Sequence, residues 1–324
     1  MRFLRLAFAS LWALALLAVG AAASAAALVA QGGRLHHRLD VLTHFAPFWL
    51  ALGLISVAMA LPFRPPHLRL LLMAPGLIGA VAALTLIAPE YLRKMSPRAP
   101  ADAPQQIKLI QFNTWGRNTE VERTAQWIAD QAADLVVIEE ARPDVRDAIL
   151  RRRPYYVTCA KCTVMIFSRA RPIANDAPKH PDPWPYLPVA RASFAAKDGG
   201  YTVLGTHYTW PTGGDAQQRQ GRKLNELLAG FDRRRLILAG DFNSTPWSFS
   251  RRREDKMFGM ERRTRALFSW PAGSFTRHRF VSIVPWLPID HVYAGSAWRT
   301  VSVQRGPRLG SDHYPVVVRL AMEP

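Results

Sequence analysis

Apolar residues are distributed along this chain in two regimes. Up to about residue 90 they form three uncharged runs, Leu6 to Ala30, Val41 to Phe63 and Leu70 to Pro89. A hydrocarbon core about 30 Å thick is crossed by about 20 helical residues at 1.5 Å each, so each run predicts a transmembrane helix. The first run follows Arg2 and Arg5 and carries the small-residue stretch Ala21 to Ala27, features shared with a secretory signal. It exceeds the roughly 7–15 residues of a signal's apolar region, which favours a retained anchor.

Beyond residue 106 the apolar residues come in short bursts. Strands are expected at Ile107 to Gln111, Asp134 to Ile138, Val164 to Phe167, Thr202 to Gly205, Leu236 to Ala239, Asp290 to Tyr293 and Pro315 to Leu320. Between them, Thr119 to Gln131 has helical spacing, with Val121, Ala125, Ile128 and Ala132 on one face, and a second helix is expected from about Asp215 to Ala229. Continuous apolar strands alternating with helices argue an α/β domain whose sheets are covered on both faces. The Pro/Ala-punctuated stretch Tyr91 to Gln106 reads as a tether, able to reach roughly 50 Å at about 3.3 Å per residue. The expected organisation is therefore a membrane domain over residues 1–90, a linker over 91–106 and an α/β domain over 107–324.

Charge sharpens the picture. The net charge is +18, and residues 101–324 keep a net +11. Such a surplus points to a polyanionic partner: nucleic acid, anionic lipid headgroups or a phosphorylated substrate. The plainer alternative is that it serves solubility and membrane topology. The basic pairs flanking the apolar runs show no clear bias toward one side. Three spans from an inside N-terminus, or two after removal of the first run, both place residues 107–324 outside the cytoplasm. The chain is thus expected in an inner or plasma membrane, multi-pass, with no obligate protein partner evident. Cys159 and Cys162 are the only cysteines. One C-x-x-C lacks the second pair of a structural zinc site, leaving a local disulfide or two free thiols.

The candidate chemistry gathers at strand ends. Leu236-Ile-Leu-Ala-Gly-Asp-Phe-Asn presents Asp241 and Asn243 just beyond a buried strand, and residues two apart on extended backbone face the same way. A carboxylate beside an amide can orient or deprotonate water and donate to a non-bridging phosphoryl oxygen. Gly310-Ser-Asp-His-Tyr-Pro offers Asp312 and His313 before the last strand, and Ile289-Asp-His-Val places Asp290 at the start of another. Asn113 ends the first strand, the acids Glu139 and Glu140 end the second, and His207 ends the strand Leu204-Gly-Thr-His. Each fragment alone is commonly a turn or a helix cap. Together they fit the habit of α/β sheets of collecting ligands at strand ends.

In this order, Asn113, the run Asp134 to Glu140, Ser168-Arg169, His207, Gly240-Asp-Phe-Asn, Ile289-Asp-His-Val and Ser311-Asp-His-Tyr-Pro resemble the endonuclease/exonuclease/phosphatase (DNase I-like) family, in its membrane-tethered bacterial branch. The resemblance implies a four-layer α/β sandwich, two mixed β-sheets flanked by helices, preceded by three transmembrane helices. It implies a hydrolase acting on phosphate esters with Mg²⁺ or Mn²⁺, and a phosphate-containing substrate. On the matching positions, Asn113, Glu140 and Asp312 would hold the metal. His207, Asp241, Asn243, Asp290 and His313 would be catalytic. Asn113, Arg169, His207 and Asn243 would contact the substrate phosphate. The family usually has Gln before the metal-binding Glu, where this chain has Glu139, so the choice between Glu139 and Glu140 stays open here, although strand alternation sets Glu140 on the face of Val136 and Ile138.

Two substrate readings remain. The stretches Ser250-Arg-Arg-Arg-Glu-Asp-Lys and Glu261-Arg-Arg-Thr-Arg can follow a nucleic-acid backbone, with Trp247 and Trp270 stacking on bases. The same arginines suit a lipid-linked phosphate at the membrane surface, or form a solvated basic helix face. A different class of function is a catalytically inactive membrane-anchored module that binds phosphate-containing ligands.

Overall fold

The computed structural model describes residues 2–196, 199–274, 281–282 and 284–323. Its contacts divide the chain into two units, Met1–Arg93 with Trp247–Arg252, and Lys94–Pro246 with Arg253–Pro324.

The first unit is helical: α1 (Arg2–Gln31), the short α2 (His37–Asp40), α3 (Ala46–Ala60) and α4 (Pro66–Leu92). Three helical spans, Ala7–Arg34, His37–Ala60 and Pro66–Leu92, are long and apolar enough to cross a membrane. Helices in lipid gain little from burying apolar surface against one another, so close packing and interhelical hydrogen bonds must hold them. Both are present. A Cβ on Gly53 would lie 2.6 Å from the carbonyl oxygen of Gly76, and one on Gly76 would lie 2.7 Å from that of Gly53. Ser56 donates to the Leu16 carbonyl at 3.1 Å, and Gln31 to that of Ala82 at 3.0 Å. The segment Trp247–Arg252, remote in sequence, belongs to this unit. The carboxylate of Asp40 receives the backbone N–H groups of Phe249 and Ser250, each at 2.8 Å, and so caps the first turn of α8 (Phe249–Phe258).

The second unit holds β1 (Gln106–Asn113), α5 (Val121–Asp130), β2 (Leu135–Glu139), α6 (Pro143–Arg152), β3 (Tyr156–Thr158), β4 (Met165–Ser168), β5 (Ala174–Asp176), β6 (Val189–Phe194), β7 (Tyr201–His207), α7 (Ala216–Leu228), β8 (Leu236–Asp241), β9 (Glu261–Arg262), β10 (Gly273–Ser274), β11 (Val281–Ser282), β12 (Asp290–Ala294), β13 (Trp298–Arg305) and β14 (Val316–Met322). Two six-stranded mixed sheets result, ordered β13-β14-β1-β2-β4-β3 and β5-β6-β7-β8-β12-β9. The expected four layers follow from strand alternation. Leu109, Leu135, Val137 and Ile166 of the first sheet pack against Ala192, Val203, Ile237, Ala239 and Val292 of the second. Their neighbours Ile110, Phe112, Val136 and Ile138 turn outward to Ala125 and Ile128 of α5 and Val145 and Ile149 of α6. On the far side, Leu204, Leu236 and Leu238 meet Leu224 and Leu228 of α7 and Phe258 of α8.

Several elements were not anticipated from sequence: α6 and strands β3, β5, β6, β9 and β13, along with the minor ribbon β10-β11. The tether is also shorter than expected. Helix α4 runs to Leu92, and Pro97 and Ala99 already hydrogen-bond to Thr300 of β13, at 2.9 and 3.1 Å. Cys159 and Cys162 are joined as a disulfide.

The Gly53–Gly76 contact generates a test. Gly53→Leu or Gly76→Leu should lower the thermal midpoint of the full chain in detergent, since overpacking costs typically about 1–3 kcal/mol. Gly213→Ala, whose new Cβ meets nothing nearer than 3.7 Å, should leave it unchanged.

Candidate active site

Strand register decides which side chains meet. Strands β1 and β2 are parallel, pairing Asn113 with Glu139, and β7 and β8 are parallel, pairing His207 with Asp241. Strand β12 runs antiparallel to β8 and sets Asp290 opposite Asp241. Strand β14 runs antiparallel to β1, with Val316 opposite Gln111, so the loop carrying Ser311, Asp312 and His313 arrives at the Asn113 end. Six chain segments thereby deliver polar residues to one end of the sandwich. Gly240 permits the approach of β8 to β7, because a Cβ there would lie 2.0 Å from the Thr206 carbonyl oxygen.

Asp241, Asp290 and His313 are buried, and ligand atoms of the three lie within 4.8 Å of one another, so the group could hold a metal ion. His313 Nδ1 bonds Asp290 Oδ2 at 2.8 Å, and its Nε2 lies 3.6 Å from Asp241 Oδ2. Burial pulls the pKa of His313 down, but Asp290 and Asp241 more than offset this and hold it well above its ordinary value. The imidazolium therefore donates from Nδ1 to Asp290 and turns Nε2–H toward Asp241. Burial raises the Asp241 carboxyl to about 6, with Asp290 adding to the rise and His313 and His207 opposing it. His207 Nε2 stands 3.5 Å from Asp241 Oδ2 and 3.5 Å from Asn243 Nδ2.

Asn243 has a left-handed φ of 47°, a region asparagine tolerates better than most residues. Its backbone N–H donates to Asp241 Oδ1 at 2.8 Å and its side-chain amide to the Tyr208 carbonyl at 2.8 Å. The extended spacing assumed for Asp241 and Asn243 is thus replaced by a tight turn, which still brings both to the site.

Glu140 also lies past its strand's end, with φ at 50°. Alternation consequently does not govern it, and both acids reach the site. Glu139 faces the space between the sheets, where Gln111 donates to it at 2.9 Å and to Asp290 at 2.8 Å. Glu140 accepts from the Asn113 amide at 3.2 Å and from the Gly116 N–H at 2.8 Å. Asn113 donates as well to Asp241, at 3.0 Å. Burial raises the pKa of Glu139 well above the carboxylate range, and Asp290 and Asp241 raise it further. Burial likewise raises Asp312, with His313 and the Trp270 indole N–H lowering it and Glu140 adding to the rise.

Among the described residues, Gln111 Oε1, Glu139 Oε1, Asn243 Oδ1 and Asp312 Oδ1 are buried acceptors without a hydrogen-bond donor. Such oxygens are the hard donors that Mg²⁺ or Mn²⁺ and their bound waters prefer. Glu140 stands near enough to raise the Asp312 carboxyl, and the two carboxylates could hold such a cation.

Residues 110–313 match the Endonuclease/Exonuclease/phosphatase family, more than half of the chain. The chain belongs to that family. Solved structures of the same fold include a family member from Bacteroides thetaiotaomicron, 16% identical with a TM-score of 0.54, covering 68% of this chain and 99% of its own. A mannosyl-6-phosphatase from Bacteroides thetaiotaomicron VPI-5482 is 15% identical with a TM-score of 0.54, covering 67% of this chain and 100% of its own. D. rerio TDP2, complexed with a single-strand DNA product, is 14% identical with a TM-score of 0.53, covering 67% of this chain and 99% of its own. At these identities the likeness establishes the fold. No curated protein sequence matches the chain.

Of the residues expected at the site, the structure brings together Asn113, Glu140, His207, Asp241, Asn243, Asp290, Asp312 and His313. Arg169 is a correction. Strand β4 runs antiparallel to β2, with Ser168 opposite Leu135, so Arg169 follows at the start of β2 rather than its end. There it bonds Asp134, with Nη1 at 3.3 Å from its carboxylate. The tryptophans invoked for base stacking are corrected too, because Trp247 and Trp270 are buried. Nor is α8 a solvated basic face, since Arg251 and Glu254 are buried.

Sequence reasoning missed the parts played by Gln111 and Ser311, and gave Trp270 a stacking role where its indole N–H donates to Asp312 at 3.2 Å. Ser311 Oγ donates to the Asn113 carbonyl at 2.7 Å and accepts from the His313 N–H at 3.0 Å, fixing the loop. Gln111 was detectable as a polar residue two before Asn113, on the same face of an otherwise apolar strand.

Gln111→Leu keeps the volume but removes an amide that donates to two buried acids. It should destabilise the domain by about 1–3 kcal/mol, the cost of a buried polar group losing its partner. A lowered melting temperature of the full chain checks this.

Proposed function

We propose that this chain is a divalent-metal-dependent phosphoesterase that cleaves phosphodiester or phosphomonoester bonds at or near a membrane surface. The carrying observation is the convergence of Asp241, His313 and Asp290 with Glu140, Asn113 and Asp312 at one end of a family-type sandwich.

In this reading Glu140 and Asp312 would hold the metal, with Asn113 positioning Glu140. A bound Mg²⁺ or Mn²⁺ would polarise a phosphoryl oxygen and neutralise charge on the leaving oxygen. The remaining chemistry belongs to this chain's own residues. Asp241, with its pKa lifted to about 6, accepts a proton from the attacking water. Asp290 fixes the His313 ring through Nδ1, so Nε2–H faces the reacting phosphate and meets the growing negative charge. His207 and Asn243 bind the phosphate from the β7–β8 side.

The substrate is a phosphate ester, and the basic surplus of residues 101–324 favours a polyanionic or membrane-surface source. Three apolar helices retain the enzyme in an inner or plasma membrane, with its catalytic domain outside the cytoplasm.

The full chain in detergent should hydrolyse bis(4-nitrophenyl) phosphate with Mg²⁺ or Mn²⁺ and stop on addition of EDTA. Asp241→Ala and His313→Ala should each lower kcat by about 10² or more, the range of general acid-base contributions. Turnover that survives both EDTA and Asp241→Ala refutes the reading. Parallel assays on plasmid DNA and on polyprenyl pyrophosphate separate the two substrate classes.

A further inference from the structure

A second basic site lies far from the catalytic cluster. A cavity of about 320 Å³ is lined by the arginines Arg98, Arg263 and Arg265 and the hydroxyl residues Ser96, Thr300 and Ser302, with no acidic side chain in its wall. Its volume is at the lower end of the range that small ligands occupy. Register places it: Thr300 pairs with Leu320, which pairs with Ile107, whereas the catalytic end of β1 is Asn113. At about 3.4 Å per residue the cavity is roughly 20 Å along the strand from the reacting groups.

Arg263 is built into the domain. It is buried, its Nη2 donates to the carbonyls of Ala294, Gly295 and Trp298 at 2.9–3.0 Å, and its Nη1 to Thr300 Oγ1 at 3.2 Å. An acid near it, Glu261, stands 3.5 Å away and is exposed. Arg98 is held over the cavity by its backbone, because Pro97 and Ala99 on either side hydrogen-bond to Thr300. Arg98 and Arg265 line the same recess as Arg263, and the planar fork of arginine matches phosphate oxygens.

We propose that this cavity is a binding site for a phosphate-type anion, supplied by an anionic lipid headgroup or by free phosphate. It is independent of the hydrolytic reaction.

The test uses the full chain in neutral detergent with EDTA, and reads its thermal midpoint against inorganic phosphate, short-chain phosphatidylglycerol and short-chain phosphatidylcholine. Phosphate and phosphatidylglycerol should raise the midpoint, and Arg98→Ala/Arg265→Ala should weaken the response at least tenfold in ligand concentration. The catalytic residues stay intact in that variant, so binding at the active site would persist in it undiminished. Tighter response to phosphatidylglycerol than to phosphate supports the headgroup source, and equal response supports free phosphate. Should the double variant not fold, Arg98→Ala alone, at an exposed position, should lose several-fold, and Arg98→Lys/Arg265→Lys should retain binding. Identical titrations for wild type and Arg98→Ala overturn the proposal.

Discussion

The site depends on one electrostatic constraint: three acids, Glu139, Asp241 and Asp290, are buried between two apolar sheets. Isolated carboxylates there would be prohibitively unfavourable, so each must be neutralised or hydrogen-bonded. The imidazolium of His313 meets two of them, and the Gln111 amide bridges Glu139 and Asp290. Every member is held by another, which fixes geometry before any substrate arrives. The same burial lifts the Asp241 carboxyl toward neutrality.

The sandwich supplies the frame for this cluster. Parallel β1-β2 and β7-β8 bring four strand C-termini to one end, while antiparallel β12 and β14 bring in their N-terminal approaches. Residues two hundred positions apart therefore meet at one end of the sandwich. Where the regular strand would point a side chain the wrong way, the chain leaves it: Glu140 and Asn243 both adopt left-handed backbone just past strand ends. Such conformations cost about 1–3 kcal/mol and persist only where surrounding bonds over-determine them. Here those bonds run to Gly116 and Asn113, and to Asp241 and Tyr208.

These details mark the boundary of what the sequence discloses. Strands such as Leu236–Asp241 were legible because both their faces are apolar, and the polar residue ending each stood out against that run. Strands β6 and β13 were not, because Ala190 to Ser193 and Ser302 to Arg305 mix small and polar residues and present no continuous apolar run. Arg169 was misplaced for a related reason. A motif gives order along the chain, whereas the antiparallel sense of β4 decides which end of the sheet the residue reaches. Alternation could not settle Glu139 against Glu140, since that rule stops where the strand does. The burial of Trp247 and Arg251 was hidden because their surroundings include Asp40 and His44, some two hundred residues earlier.

The acid at position 139 has its own logic. The family usually places glutamine there, and a charged glutamate beside Asp290 and Asp241 would add a third negative charge to a buried cluster. Burial removes the difficulty by favouring the protonated form, with Asp290 and Asp241 pushing the same way. A protonated carboxyl has nearly the shape of a carboxamide and accepts the Gln111 N–H through Oε2. Glu139 thus does the steric and hydrogen-bonding work of a glutamine without adding charge, while Glu140 lies outside the strand and is more open to solvent.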